Sequence, residues 1–196
     1  MELPDSIGNL KHLRYLDVSR TGIKRLPDST CLLYNLQTLK LTQCKSLNEF
    51  PSDMHRLVNL RHLNFVGTSI KKKPLHLGNL KNLQTLTSFY VGKCSGSNIK
   101  ELGQLNNLRG QLSIVQLHNI VFPMEAAEAN LKNKKFLETL ELGWREDNED
   151  SLNERDVLEN LKPHRNLKRL TIRNNGGSRL PDWLEMVHCP ISYLLS

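Results

Sequence analysis

Seven histidines (His12, His55, His62, His76, His118, His164, His188) and four cysteines (Cys31, Cys44, Cys94, Cys189) are the residues best equipped for chemistry. A zinc site needs donors paired at short spacing, as in HExxH or CxxC followed by HxxxH, so that one turn presents two ligands to one ion. Neither spacing occurs. No GxSxG or cysteine-centred catalytic signature is present either. The acidic run "REDNEDSLNERD" (145–156) lacks the glycine and the closing glutamate of a calcium loop, and reads as a solvated loop. The lysines of "IKKKP" (70–74) offer contacts to phosphate but read as an exposed turn. "VGKCSG" holds one Gly-Lys pair without the upstream glycine or the Ser/Thr of a nucleotide-binding loop. The chain therefore reads as non-enzymatic, with no catalytic residue, cofactor or metal.

The bulk numbers agree with a scaffold. The chain has 196 residues, of which 38% are hydrophobic and only 6% aromatic, so its core must be aliphatic. No apolar run is long enough to cross a membrane, and the N-terminus "MELPDSIGNLKHL" is not a secretory leader. Scattered cysteines and the absence of any Asn-x-Ser/Thr acceptor favour a reducing, intracellular, cytoplasmic setting. Charge is uneven. Residues 1–123 carry 16 Lys and Arg against 7 Asp and Glu, whereas residues 124–196 carry 11 against 13. The first part can attract acidic partners, nucleic acid among them, although basic residues scattered through a repeat more often form a solvated surface.

What would position any of these side chains is a repeat. "LRYLDVSRT" begins at Leu13, and copies begin at Leu36, Leu60, Leu83, Leu108 (with one inserted residue), Leu137, Leu167 and, cut short, Ile191. The starts lie 23, 24, 23, 25, 29, 30 and 24 residues apart. This period and the Leu-x-x-Leu-x-Leu consensus define leucine-rich repeats. The expected fold is an α/β solenoid: a curved horseshoe with a parallel sheet on the concave face and short helices and turns on the convex face. About seven repeats plus a truncated C-terminal one form a single domain over residues 1–196. Repeats are short and regular over 1–103, and longer, with helical and acidic insertions, over 104–196. Inward positions are Leu16 and Val18, Leu39 and Leu41, Leu63 and Phe65, Leu140 and Leu142, Leu170 and Ile172. Thr21, Cys44, Thr68 and Asn174 follow the strands and are expected to satisfy the turn by hydrogen bonding.

A second pattern places proline after an apolar residue at Pro4, Pro27, Pro51, Pro74 and Pro181, ending the path along the sheet and starting the outer turn. Irregular coil is expected there at first. True helices are expected in "PMEAAEANLKNKKFL", with Pro123 at its start, and in "SLNERDVLENLK".

The runs "LPDSIGNLKHLRYLDVSRTGIKRLPDS", "LYNLQTLKLTQCKSLNEFPSDMHRLVNLRHLNF", "EAAEANLKNKKFLETLELGW" and "LKPHRNLKRLTIRNNGGSRLPDWL" resemble the leucine-rich repeat region of plant nucleotide-binding, leucine-rich-repeat disease-resistance proteins of the coiled-coil type. The resemblance covers the whole chain. It implies a non-catalytic recognition module of an intracellular immune receptor. Such a module senses pathogen effectors or a guarded host protein and restrains a nucleotide-binding domain that this chain lacks. Partners would be proteins, with no membrane span. A generic repeat scaffold or truncated decoy outside direct pathogen sensing is the alternative. Because the chain starts inside one repeat and stops inside another, it is expected to be a fragment.

Between the buried leucines, strand residues must face solvent. The candidate concave binding face is Arg14, Tyr15 and Asp17 in the first repeat, then Gln37 and Lys40, then Arg61, His62 and Asn64. It continues through Thr87, Ser113, Glu138 and Glu141 to Lys168, Arg169 and Thr171. Their chemistry changes from repeat to repeat while the leucines do not, which suits partner recognition. Leu10, Leu13 and Leu194, at the open ends, lack the covering repeat they need. The isolated chain is therefore expected to aggregate; a monodisperse monomer with a sharp melt in light scattering and calorimetry would contradict this.

Overall fold

A computed structural model describes residues 2–93, 98–145, 151–176, 181–186 and 191–194. Cys94, Cys189, His188 and the acidic residues 146–150 fall outside the described residues. Each Leu-x-x-Leu-x-Leu run becomes a short strand: β1 (Tyr15–Asp17), β2 (Thr38–Lys40), β3 (His62–Asn64), β4 (Thr85–Leu86), β5 (Ser88–Tyr90), β6 (Arg109–Val115), β7 (Phe136–Gly143), β8 (Arg169–Arg173) and β9 (Ile191–Leu194). All neighbours pair in parallel, with leucine over leucine: Leu16, Leu39, Leu63 and Leu86 form one stack, and Leu112, Leu140 and Leu170 another. Leu39, Leu63, Leu140 and Leu170 are completely buried, as the inward positions require.

The ladder breaks once. Leu63 and Phe65 are two residues apart, as are Leu140 and Leu142, but in the fourth repeat the buried pair is Leu86 and Phe89. One residue too many lies between them. The strand cannot keep its alternation across three residues, so β1–β4 form one sheet and β5–β9 a second, in a new register. Thr87, the extra residue, bridges the break. Its carbonyl accepts the Ser113 N–H (3.3 Å) and its hydroxyl accepts the Phe65 N–H (3.4 Å). A smaller irregularity falls at the inserted residue of the fifth repeat, where Gly110 has φ +72° and the β6–β7 register shifts.

The chain leaves the first three strands through a left-handed residue, Arg20, Gln43 or Gly67, and Asn174 takes the same conformation after β8. At Gly67 this conformation favours glycine directly. The residue that follows each turns inward. Thr21 and Cys44 both donate to the Val18 carbonyl (2.7 and 3.0 Å), and Thr68 donates to that of Phe65 (2.9 Å). The expectation for Asn174 is corrected by one place: Asn174 is the left-handed residue, and Asn175 is the buried one. A second ladder runs along the opposite strand ends. Asn35, Asn59, Asn82 and Asn107 each donate through Nδ2 to a backbone carbonyl of the preceding repeat, those of Lys11, Tyr34, Val58 and Lys81, at 2.8–2.9 Å.

The convex side is more regular than expected. Asp5–Asn9, Asp28–Leu32, Met54–Arg56 and Leu77–Asn79 are 3₁₀ helices rather than coil. A 3₁₀ helix rises about 2.0 Å per residue against about 1.5 Å in an α-helix, so it covers the return path with fewer residues. Close stacking of these segments explains Gly8, where a Cβ would lie 2.8 Å from the Ser29 carbonyl oxygen. Pro123–Ala129 is likewise 3₁₀, against the expected α-helix, whereas Ser151–Asn160 is a true α-helix.

Two lysines are buried. Lys73, read from "IKKKP" as exposed, is 5% exposed and paired with Glu101 at 2.5 Å, while Lys71 and Lys72 stay in solvent. Glu101 also accepts the Gly78 N–H, so this pair ties adjacent convex segments together. Lys134 is 1% exposed and donates to the carbonyls of Leu102 and Leu105 (2.8 and 3.0 Å). Burial pushes its ammonium down to about 8 from an ordinary 10.5. The Cys31 thiol is pushed up to about 11 from 9.0, by burial and by Asp53 and Asp28.

These two groups pull stability in opposite directions with pH. Between about pH 8 and 10.5 the unfolded chain holds the Lys134 proton that the folded chain has released, so stability rises with pH. Between 9.0 and about 11 the folded chain holds the Cys31 proton that the unfolded chain has released, so stability falls. Cys31→Ala should remove the thiol's opposing loss, so that between pH 9.0 and 10.5 the variant's stability rises relative to that of the wild type. Urea unfolding at high dilution checks this; parallel pH profiles for wild type and variant would contradict it.

Candidate protein-binding face

The sheet rungs place the variable residues in columns. The first column is built on backbone bonds: Gln37 N–H to Arg14 carbonyl, Arg61 to Gln37, Gln84 to Arg61 and Arg109 to Gln84, all at 2.7–2.8 Å. Glu138 and Lys168 are linked in the same way at 2.8 Å, but as a separate pair beyond the register shift, since Arg109 lies opposite Phe136. The second column pairs Tyr15, Thr38, His62 and Thr85 in register, and beyond the break Gln111, Thr139 and Arg169. The third runs Asp17, Lys40, Asn64, then Ser88, Ser113, Glu141 and Thr171. Ser88 replaces Thr87 in this register; Thr87 sits beside it on the bulge, half-exposed.

The carboxylates of the face are all engaged. Asp17 accepts from the Ser19 N–H (2.9 Å) and the Tyr15 hydroxyl (3.1 Å), and the Ser19 hydrogen bonds hold it below the usual carboxylate range. Glu138 pairs with Lys168 at 3.0 Å and Glu141 with Arg173 at 2.9 Å. Most of the cations are not paired. Lys40 lies over the Tyr15 ring at 5.3 Å and Arg109 over the Phe136 ring at 5.6 Å. Arg14, Arg61 and Arg109 make no ion pair among the described residues. His62, hydrogen bonded to Thr85 at 3.0 Å, is pushed below its ordinary value by burial and then by Arg109, Arg61 and Lys40. The uncompensated charge on this part of the face is thus positive.

Two features escaped the sequence. Beyond the third column Tyr90 pairs with Val115, and Tyr90 packs against the core; Val66, in the turn after β3, is 50% exposed. The extra residue at the break moves Tyr90 one place from where the repeat spacing puts it, which hid this pair. Burial pushes the Tyr90 phenol up. Phe136 stands where other repeats carry the ladder asparagine; it is 50% exposed and flanked by Lys135 at 5.1 Å. A groove of about 970 Å³ lies away from this face along the proline edge, where acids and bases such as Asp5, Arg25, Glu49 and Lys72 alternate. Among the described residues, no three His, Cys, Asp or Glu are grouped to hold a metal, and no helix is long and apolar enough to cross a membrane.

Residues 99–194 match the family model of R13L1/DRL21 leucine-rich repeats. The chain is 51% identical over 190 residues to disease resistance RPP13-like protein 1 of Arabidopsis thaliana, covering 92% of this chain and 18% of that protein. It is 41% identical over 186 residues to disease resistance protein RGA2 of Solanum bulbocastanum, covering 93% and 19%. It therefore spans less than a fifth of either relative. Among solved structures, the leucine-rich repeat domain of the type III effector XopL aligns with TM-score 0.54 and 22% identity over 98% of this chain and 64% of that one. A Listeria monocytogenes internalin aligns with TM-score 0.60 and 20% identity over 98% and 51%. These two share the fold alone. With the solenoid and the relatives together, the chain is a leucine-rich repeat segment of the plant disease-resistance type, its residues 99–194 belonging to the R13L1/DRL21 repeats.

Proposed function

We propose that the chain is the recognition and regulatory module of an intracellular plant immune receptor. It would bind a pathogen effector or a guarded host protein and restrain a nucleotide-binding domain, in a cytoplasmic setting and without catalysis. The observation that carries this reading is the contrast within each strand. Leu39, Leu63, Leu140 and Leu170 are completely buried, while the third column changes from Asp17 to Lys40, Asn64, Ser113, Glu141 and Thr171. A rigid scaffold presenting a varied polar surface recognises by complementarity. The disease-resistance relatives support the setting.

The test is capture of the separately expressed nucleotide-binding domain of a disease-resistance protein by this chain. Asn64→Arg, Ser113→Arg and Thr171→Arg project bulk from the face without touching the core. The triple variant should keep the circular dichroism of the wild type and lose capture by about tenfold or more. Capture unchanged by the variant, or no capture by the wild-type chain, would count against this function.

A further inference from the structure

The most exposed large apolar side chains among the described residues are neighbours. Val121 (70%), Phe122 (66%) and Met124 (74%) sit on the turn that carries the chain from β6 to the convex side, with Pro123 stiffening it. Soluble proteins scatter exposed apolar residues singly, whereas a group of them marks a contact surface. Hydrogen bonds hold this turn on both sides. Asn119 donates to the Val91 carbonyl (2.7 Å) and Gln116 to that of Lys71 (3.4 Å), in the two preceding repeats. Asn153, in the first turn of the Ser151–Asn160 helix, donates to the Ile120 carbonyl (3.0 Å) from the following repeat. The turn is also the seam between two blocks of charge. Residues 61–123 carry eight Lys and Arg against one Glu, and residues 124–160 carry five against eleven Asp and Glu. Repeats stack in chain order, so the blocks lie on opposite sides of the apolar turn. Lys71, Lys72 and Lys93 are exposed on the first side; Glu125 is half-exposed and Asp156 exposed on the second. None of these five makes an ion pair among the described residues.

We infer that two copies of this chain associate through this turn about a two-fold axis. An axis standing on the turn runs the two solenoids antiparallel. The apolar turns then meet at the centre, and the basic block of each copy faces the acidic block of the other. The flank is therefore complementary to itself, which a patch of one sign cannot be. Nucleic acid or an anionic bilayer would be attracted by the first block and repelled by the second. Phe and Met are enriched at the centres of interfaces, with charge at the rim. Three apolar side chains fall short of the roughly 800 Å² per partner that a stable interface buries. The flanking charges must supply the rest, so the dimer is weak and sensitive to salt. The net charge of +7 opposes association, but at physiological salt charges act over only about 8 Å, and contacts across the interface decide. The concave columns are not used, so this inference stands apart from the recognition reading.

Sedimentation velocity on the full chain over roughly 1–100 µM should show a monomer–dimer equilibrium that stops at two and weakens as salt is raised. Phe122→Asp changes an exposed position, so it should keep the circular dichroism of the wild type and weaken the dimer by about tenfold or more. Lys71→Glu, Lys72→Glu and Lys93→Glu together should weaken it by about tenfold, and so should Glu125→Lys with Asp156→Lys. Mixing these two charge variants should restore association to about the wild-type level. The reversed block of each then meets the reversed block of the other, and the unchanged blocks still attract. No dimer in this range, a dimer indifferent to Phe122→Asp, or a mixture no stronger than either variant alone would overturn the inference. So would growth past the dimer that Phe122→Asp leaves unchanged, which marks stacking of the terminal repeats. Binding to phosphatidylserine vesicles by a chain that stays monomeric would assign the turn to lipid instead.

Discussion

A three-residue strand has too few hydrogen bonds to hold itself in place, and everything in this molecule depends on one rung bonding to the next. Tyr15–Asp17 exists as a strand because Thr38–Lys40 lies beside it, and that strand because His62–Asn64 follows. The same constraint fixes the core. Rungs in register put leucine over leucine, and Leu39 or Leu63 is excluded from water only because copies above and below close over it. In the first repeat, which has a neighbour described on one side only, Leu10 is 53% exposed and Leu13 and Leu16 are half-buried. The two hydrogen-bonded ladders, Thr21 with Cys44 on one side of the strands and the asparagines on the other, pin each repeat to its neighbour where the strands stop.

Burial also decides where charge is tolerated. Lys73 and Lys134 are both deep between convex segments, but they solve the problem differently. Lys73 takes a carboxylate partner from the next repeat, whereas Lys134 has two backbone carbonyls; burial depresses the proton affinity of both. Each joins segments 28 or more residues apart in the chain. On the concave face charges remain in solvent, where pairs such as Lys168–Glu138 add little to stability and are available for recognition.

The sheet, the core and the outward strand positions were legible because they follow from periodicity alone: a leucine every second or third place has one way to be buried. The failures share one cause. Charge normally marks surface, so Lys73 was assigned to solvent; nothing in "IKKKP" reveals Glu101, a repeat away, to receive it. Counting placed Thr87 in the third column and Asn174 in the inward turn, and both slip by one because backbone geometry, not residue type, sets those positions. The asparagine preceding the strand in "YNL", "VNL", "KNL" and "NNL" was in plain view, but its role needs the preceding repeat's carbonyl to be seen beside it. Pro123 and its acidic neighbours signal a helix start without distinguishing 3₁₀ from α.

The extra residue at Thr87 has a further meaning if the solenoid is regarded as a one-dimensional crystal. It is a stacking fault confined to one layer: counted from the first leucine of a repeat, the buried pair falls at the same two places before it, at Leu63 and Phe65, and beyond it, at Leu140 and Leu142. Only the faulted repeat spaces its pair by three, Leu86 and Phe89, so only its own later positions are renumbered, as Thr87 and Ser88 show. A regular repeat therefore keeps its addresses on either side of the fault, and the fault travels only with the repeat that carries the additional residue.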